Sequence, residues 1–112
     1  ITDTNKDHRV VFESTRIATR PGSNHFVSNV YSYEVLSSTE WNFNEAFKPN
    51  VFVGLSSDNI SKKVAAFKFY VSEKKEFPYP RCEKGITTLS NYRGMQIGTE
   101  YAEAFQLLRS KR

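Results

Sequence analysis

The residues best suited to chemistry lie near the start of the chain, in the segment Asn5-Lys6-Asp7-His8-Arg9. In this segment an imidazole follows a carboxylate where an amphipathic helix is predicted to begin. The partial positive charge of a helix N-terminus disfavours a protonated imidazole, which leaves a ring nitrogen free to bind a metal. A surface histidine in a capping turn is the alternative that this short segment leaves open.

A second polar group, Ser37-Ser38-Thr39-Glu40-Trp41, lies within residues 36–50, which show neither a helical nor a strand period. A loop of about 15 residues is unusually long for a small domain and is more often functional than idle. Hydroxyl and carboxylate groups pair with sugar hydroxyls, and an indole stacks on the apolar face of a pyranose. We therefore predict a sugar contact through Ser38, Thr39, Glu40 and Trp41. The alternative is that Trp41 only anchors the loop.

Familiar catalytic motifs are missing from the sequence. It contains no glycine-rich phosphate loop, no H-E-x-x-H and no G-x-S-x-G. Two histidines alone do not make a zinc site, and the second, His25, is predicted to be a surface residue without a role. Cys82 is the only cysteine, which excludes an internal disulfide and a thiolate zinc cluster.

Four segments in consistent order carry a family resemblance that extends over nearly all of the 112 residues. They are Asp7-His8-Arg9-Val10-Val11-Phe12-Glu13 with Asn5 upstream, residues 30–41, residues 76–81, and residues 93–98 with 100–105. Together these segments resemble the second half of the PIG-L family deacetylases, the LmbE-like proteins.

The resemblance implies a zinc-dependent hydrolase that removes an acetyl group from an N-acetylglucosamine-type sugar, on a Rossmann-like three-layer α/β/α fold. In that family zinc is held by His and Asp of an early His-Pro-Asp-Asp motif, whose other Asp is the general base, and by the His of an N-x-D-H segment. His8 matches this last zinc ligand. Asp7 is then expected either to orient a group of the active site or to cap the helix. Some relatives carry His where this chain has Asn5.

No His-Pro-Asp-Asp occurs in this sequence, and its first residue is Ile1. We therefore expect the chain to be the C-terminal part of one deacetylase domain, inactive alone, whose missing N-terminal half supplies the other Zn²⁺ ligands and the base. The family implies a cytoplasmic homo-oligomer acting on an N-acetylated amino sugar. A catalytically empty carbohydrate-binding domain of the same fold is the alternative.

Charge and hydropathy disfavour two further classes of partner, although a basic nucleic-acid module stays a second alternative. The formal net charge is +4, but Arg109, Lys111 and Arg112 supply three of the positive charges at the very end. The other basic residues are dispersed, so we predict no nucleic-acid partner. No apolar run approaches the roughly 18 residues of a membrane span, so we predict none.

The elements that must position these residues are short and indicate an α/β fold. Helices are predicted over 7–20, 58–76 and 82–97, and strands over 27–35, 51–55 and 101–108. In the second helix the spacing predicts that Ile60, Val64, Phe67 and Val71 are buried and that Lys62, Lys68 and Lys75 are exposed. Three strands would leave half of a three-layer core absent, so we expect apolar surface on one helix face or sheet edge.

Overall fold

A computed structural model describes residues 3–22, 24 and 26–112 of the chain. These residues have a mixed α/β fold, and every predicted element is present, although some bounds differ. The order is α1 (Lys6–Ala18), β1 (Asn29–Tyr33), β2 (Val51–Leu55), α2 (Ser57–Phe67), α3 (Glu83–Met95) and β3 (Tyr101–Ser110), with a single 3-10 turn at Thr39–Trp41 between β1 and β2. Within the described ranges, no helix combines the length and the apolar character that crossing a bilayer requires.

The three strands form one antiparallel sheet in the order β1-β3-β2. On β1, Val30 pairs with Arg109 of β3, and Ser32 pairs with Gln106. The register shifts between Val30 and Tyr31, which indicates a β-bulge at this point of the ladder. Because alternate residues of a strand share a face, Val30 and Ser32 lie on the same side of β1.

The chain divides into two compact units, each with its own internal contacts. Unit 1 comprises the residues up to Asn50 together with Phe105–Arg112, and unit 2 comprises Val51–Ala104. Unit 1 thus contains α1, β1 and the 3-10 turn, and unit 2 contains β2, α2 and α3. Strand β3 contributes its first four residues to unit 2 and its remainder to unit 1.

The core of unit 2 is formed by α2, α3 and the start of β3, where Ala102 and Ala104 are 1% and 5% exposed. Ser56 begins α2 with a capping box, since its hydroxyl accepts from the Asn59 N–H and the Asn59 side chain accepts from the Ser56 N–H. Ile60 and Val64, one turn apart, are 6% and 7% exposed, as predicted, and Ile86 of α3 is buried with them in this unit. The predicted exposure of Lys62, Lys68 and Lys75 is also confirmed.

Helix α2 ends nine residues earlier than predicted, at Phe67 instead of Glu76. After Val64 the hydrogen bonds tighten to a three-residue spacing, from the Phe69 N–H to the Ala66 carbonyl and from the Tyr70 N–H to the Phe67 carbonyl. Aromatic and β-branched residues follow, and these propagate a helix poorly. The predicted burial of Val71 is therefore wrong: its side chain is 80% exposed, and Phe67 is half-buried.

Helix α3 begins at a cysteine instead of the more usual hydroxyl or carboxylate cap. The Sγ of Cys82, which is 6% exposed, accepts a hydrogen bond from the Gly85 N–H at 3.3 Å. A thiol sulfur accepts more weakly than a hydroxyl, so Cys82 is a weaker cap than serine would be.

Unit 1 is organised differently, because helix α1 has no buried residue. Val10, Val11 and Ile17 are 58%, 64% and 54% exposed. This confirms the prediction that one helix face presents apolar surface. Below the helix lies a cavity of about 570 Å³, whose lining residues come from α1, β1 and the end of β3.

Candidate functional site

The main polar cluster of unit 1 joins Asp3, His8 and Ser38. Asp3 Oδ2 lies 3.1 Å from His8 Nδ1, and Asp3 Oδ1 accepts a short hydrogen bond from the Ser38 hydroxyl. Ser38 Oγ is also 3.5 Å from His8 Nδ1. The side chains of His8 and Asp3 are 35% and 14% exposed, so the ring stays accessible while the carboxylate is largely covered.

The start of α1 positions His8 within this cluster. The side chain of Asn5 caps the helix by accepting from the N–H groups of Asp7 at 2.9 Å and His8 at 3.5 Å. Asp3 Oδ1 in turn accepts from the Asn5 N–H at 2.7 Å, which fixes the chain just before the helix. Asn5 therefore serves as the N-cap of α1.

The loop after β1 supplies Ser38, which is only 1% exposed. Thr4 Oγ1 donates to the Ser38 carbonyl at 3.2 Å. The segment before α1 therefore contacts this loop at the backbone of Ser38 as well as at its side chain. Ser37, directly before it, has a positive φ of 63° and a buried hydroxyl without a partner among the described residues. A non-glycine residue in this region is strained, and such strain is concentrated at functional sites.

The other predicted sugar contacts mostly stabilise the loop itself. Both carboxylate oxygens of Glu40 accept from backbone, from the Ser37 N–H at 2.5 Å and the Ser38 N–H at 3.2 Å. Thr39 Oγ1 accepts from the Val35 N–H at 2.8 Å. Trp41 is 44% exposed, so part of its indole is open to solvent.

The electrostatics of the cluster favour an ionised Asp3. Desolvation by burial raises the pKa of this carboxyl, but the hydrogen bonds from the Ser38 hydroxyl, the Asn5 N–H and the His8 ring outweigh it. The net effect lowers the pKa of Asp3 below its ordinary value of 3.8. Asp3 is therefore a carboxylate at neutral pH and acts only as a hydrogen-bond acceptor.

This acceptor fixes the role of each nitrogen of His8. Because a carboxylate cannot donate, the contact at 3.1 Å requires a proton on Nδ1, and in the neutral ring the lone pair is then on Nε2. Serine and aspartate both approach the same nitrogen, Nδ1. In a nucleophilic triad the serine and the carboxylate instead occupy opposite nitrogens of the ring. The cluster is thus arranged for binding through Nε2 and not for activating Ser38.

A complete metal site is not found in the described part of the chain. No three His, Cys, Asp or Glu side chains among residues 3–22, 24 and 26–112 lie close enough to hold one ion. Zinc in a catalytic site takes three protein ligands and a water. His8 fits the requirement for one such ligand, and these residues do not supply the others.

The predicted site residues are thus brought together only in part. His8 and Ser38 meet in one cluster. Asp7 lies exposed in the first turn of α1, where Asn5 is the cap, and the carboxylate that contacts the His8 ring belongs to Asp3. Asp3 was not among the predicted site residues, and its link to Ser38 spans 35 positions, which no local pattern reports. The prediction for His25 falls outside the described residues.

Comparison of the chain with family models, with curated proteins and with solved structures finds no match. The resemblance to the PIG-L deacetylases accordingly stays a prediction that rests on the residues themselves.

Proposed function

We propose that this chain is the C-terminal part of a zinc-dependent N-deacetylase in which His8 supplies one zinc ligand through Nε2. The observation that carries the proposal is the contact of 3.1 Å between His8 Nδ1 and the Asp3 carboxylate. Zinc-bound histidines almost always donate the other ring N–H to a carboxylate, a carbonyl or a water. Such a partner orients the ring and raises the basicity of the nitrogen that binds the metal.

The proposal assigns the remaining ligands and the general base to a His-Pro-Asp-Asp segment, which this sequence does not contain. Zinc, when bound, would lower the pKa of a coordinated water and polarise the amide carbonyl. A Rossmann-like three-layer fold is part of the same proposal. Such folds are built on a mostly parallel sheet, whereas the three strands described above are antiparallel, so the proposal requires them to belong to a larger mixed sheet.

The proposal gives the residues of this chain two roles, which are to position the zinc ligand and to contact the sugar. Asp3 and Ser38 hold the His8 ring, and Thr39 and Glu40 hold the loop. Trp41, 44% exposed, offers its indole to the apolar face of an N-acetylglucosamine-type sugar.

The test uses the complete native polypeptide that contains this chain. His8→Ala should remove most zinc and most release of acetate from N-acetylglucosamine derivatives, without unfolding, because the ring is 35% exposed. Asp3→Asn should weaken zinc affinity by about 10-fold to 100-fold, as loss of the group behind a zinc-bound histidine does. The control is replacement of the other histidine, His25→Ala, which should change neither quantity.

Two outcomes would overturn the assignment. Full zinc occupancy and unchanged acetate release in His8→Ala would exclude His8 as a ligand. Sugar binding that needs no zinc, requires Trp41 and releases no acetate would instead support a catalytically empty carbohydrate-binding domain.

A further inference from the structure

The cavity under α1 has the size and lining of a small-molecule site. Its volume is about 570 Å³, within the roughly 300–1,000 Å³ typical of ligand pockets. Its apolar lining includes Val11 and Phe12 of α1, Val30 of β1 and Leu108 of β3. Every described lining residue belongs to unit 1.

Two residues that line the cavity each have a buried polar atom without a hydrogen-bond partner in the described part of the chain. The Nε of Arg109 and the hydroxyl of Ser32 are buried without a hydrogen bond to any described residue, and both residues line the cavity. Buried polar groups are nearly always hydrogen-bonded, because desolvation without a partner costs free energy. The pairing of Val30 with Arg109 places Arg109 on the face of the sheet that carries Ser32.

The Arg109 guanidinium is held in place from its other edge. Its Nη2 donates to the Thr19 carbonyl at 2.5 Å, and its Cζ lies 5.8 Å from the centre of the Phe26 ring. The guanidinium therefore does not have to be ordered when a ligand binds. Its Nε–H is left as a buried donor without an acceptor among the described residues.

We propose that this cavity binds an amphipathic monocarboxylate, a molecule with an apolar body and one carboxylate group. One carboxylate oxygen accepts from Arg109 Nε, the other accepts from the Ser32 hydroxyl, and the apolar body lies against Val11, Val30 and Leu108. The inference does not rest on the proposed zinc-dependent activity.

Charge selects a monoanion over a phosphate. Arg16 also lines the cavity, but its Nε and Nη2 both donate to Glu13, at 3.0 and 2.7 Å. One available guanidinium edge and one hydroxyl match a single carboxylate.

The experiment titrates the chain with decanoate in the presence of EDTA and follows heat and the methyl resonances of Val11, Val30 and Leu108. We expect saturable binding of one decanoate per chain. The affinities for 1-decanol, which lacks the carboxylate, and for acetate, which lacks the apolar body, should each be at least about tenfold weaker. EDTA separates this result from the zinc proposal, since either can fail alone.

Three variants assign the carboxylate contact. Arg109→Gln should weaken decanoate binding at least about tenfold, and Ser32→Ala about threefold to tenfold, the usual range for charged and neutral hydrogen bonds. Ser32→Ala keeps the test valid if Arg109→Gln disturbs folding. Arg9→Gln, which removes an exposed arginine of α1 that does not line the cavity, should change affinity less than about twofold.

Several results would overturn the proposal. These are equal affinity for decanoate and 1-decanol, no saturable binding below the concentration at which decanoate forms micelles, or unchanged affinity in both Arg109→Gln and Ser32→Ala. A ligand-free dimer whose interface contains the Val11, Val30 and Leu108 methyls would also overturn it, because a second copy would then fill the cavity.

Discussion

The two compact units differ in what they remove from water. Unit 2 buries apolar side chains such as Ile60, Val64 and Ile86, whereas the buried side chains in the described part of unit 1 are Ser37 and Ser38. Unit 2 is therefore stabilised mainly by hydrophobic burial. Unit 1 depends on a hydrogen-bonded cluster and keeps a cavity beneath its helix.

The comparison also separates stability from candidate function. Unit 1 contains the accessible imidazole of His8 and the strained backbone of Ser37. It also contains Ser32 and Arg109, whose buried polar atoms have no partner among the described residues. Regions that bind ligands are commonly drawn from the less stable part of a protein, because a tightly filled core leaves no room for a ligand. Four experiments test whether the units differ in this way.

The largest effect is expected from opening the core of unit 2. Ile86→Ala should lower the free energy of unfolding by about 2–5 kcal/mol, since it removes buried methylene groups and leaves a cavity. Val10→Ala in α1, where the side chain is 58% exposed, should cost less than about 0.5 kcal/mol. Chemical denaturation followed by far-UV circular dichroism measures both. Equal losses would show that α1 is packed as tightly as α3.

Acid should weaken unit 1 through Asp3. Because the folded pKa of this carboxyl is lowered, its stabilisation is present above the ordinary value of 3.8 and is lost as the pH falls below that value through the folded pKa. Asp3→Asn should cost about 1–3 kcal/mol at neutral pH and reduce the acid sensitivity.

Trp41, the only tryptophan, lies in unit 1. Its fluorescence therefore reports this loss of stability. The matched control is Asp7→Asn on the exposed first turn, which should cost less than about 1 kcal/mol. An acid transition that is unchanged in Asp3→Asn would assign it to other carboxylates.

Hydrogen exchange should show the same difference without mutation. Amides in the centre of α3 should be protected at least about tenfold more than amides in the centre of α1, because α1 has no buried residue. Residue-resolved exchange measured by NMR checks this. Equal protection would mean that the two units open together.

The smallest effect is expected at the surface of unit 2. Lys63 and Glu103 form an ion pair of 2.5 Å, but their side chains are 46% and 37% exposed. Lys63→Ala should therefore change the free energy of unfolding by less than about 1 kcal/mol, and added salt should reduce even that. A loss as large as that of Ile86→Ala would show that unit 2 does not depend mainly on its apolar core.

The sequence predicted which helices and strands are present better than it predicted where they begin and end. Periodicity identified Ile60 and Val64 as buried, yet it also extended α2 to Val71, because spacing alone does not report where helical hydrogen bonds tighten and stop. In β1 a period of two divides the residues into two faces without indicating which one is covered. Tyr31 and Tyr33 are 47% and 68% exposed, and Val30 is on the more protected face.

The candidate site was predictable only where its residues are close in sequence. Asn5 and His8 share one helical turn, so their joint position follows from a local pattern. Asp3 and Ser38 meet through the tertiary fold. The orphaned Nε of Arg109 depends on β-sheet register and on the end of α1, and neither can be read from residue types.

The capping thiol of Cys82 gives the molecule a built-in reporter. It is the only cysteine, it is buried, and its sulfur accepts from the first turn of α3. A thiol reagent can modify it only when unit 2 opens, so the rate of alkylation measures the frequency of that opening. With Trp41 in unit 1, the chain carries one natural probe in each half, and their separate time courses can reveal whether the two units unfold as one.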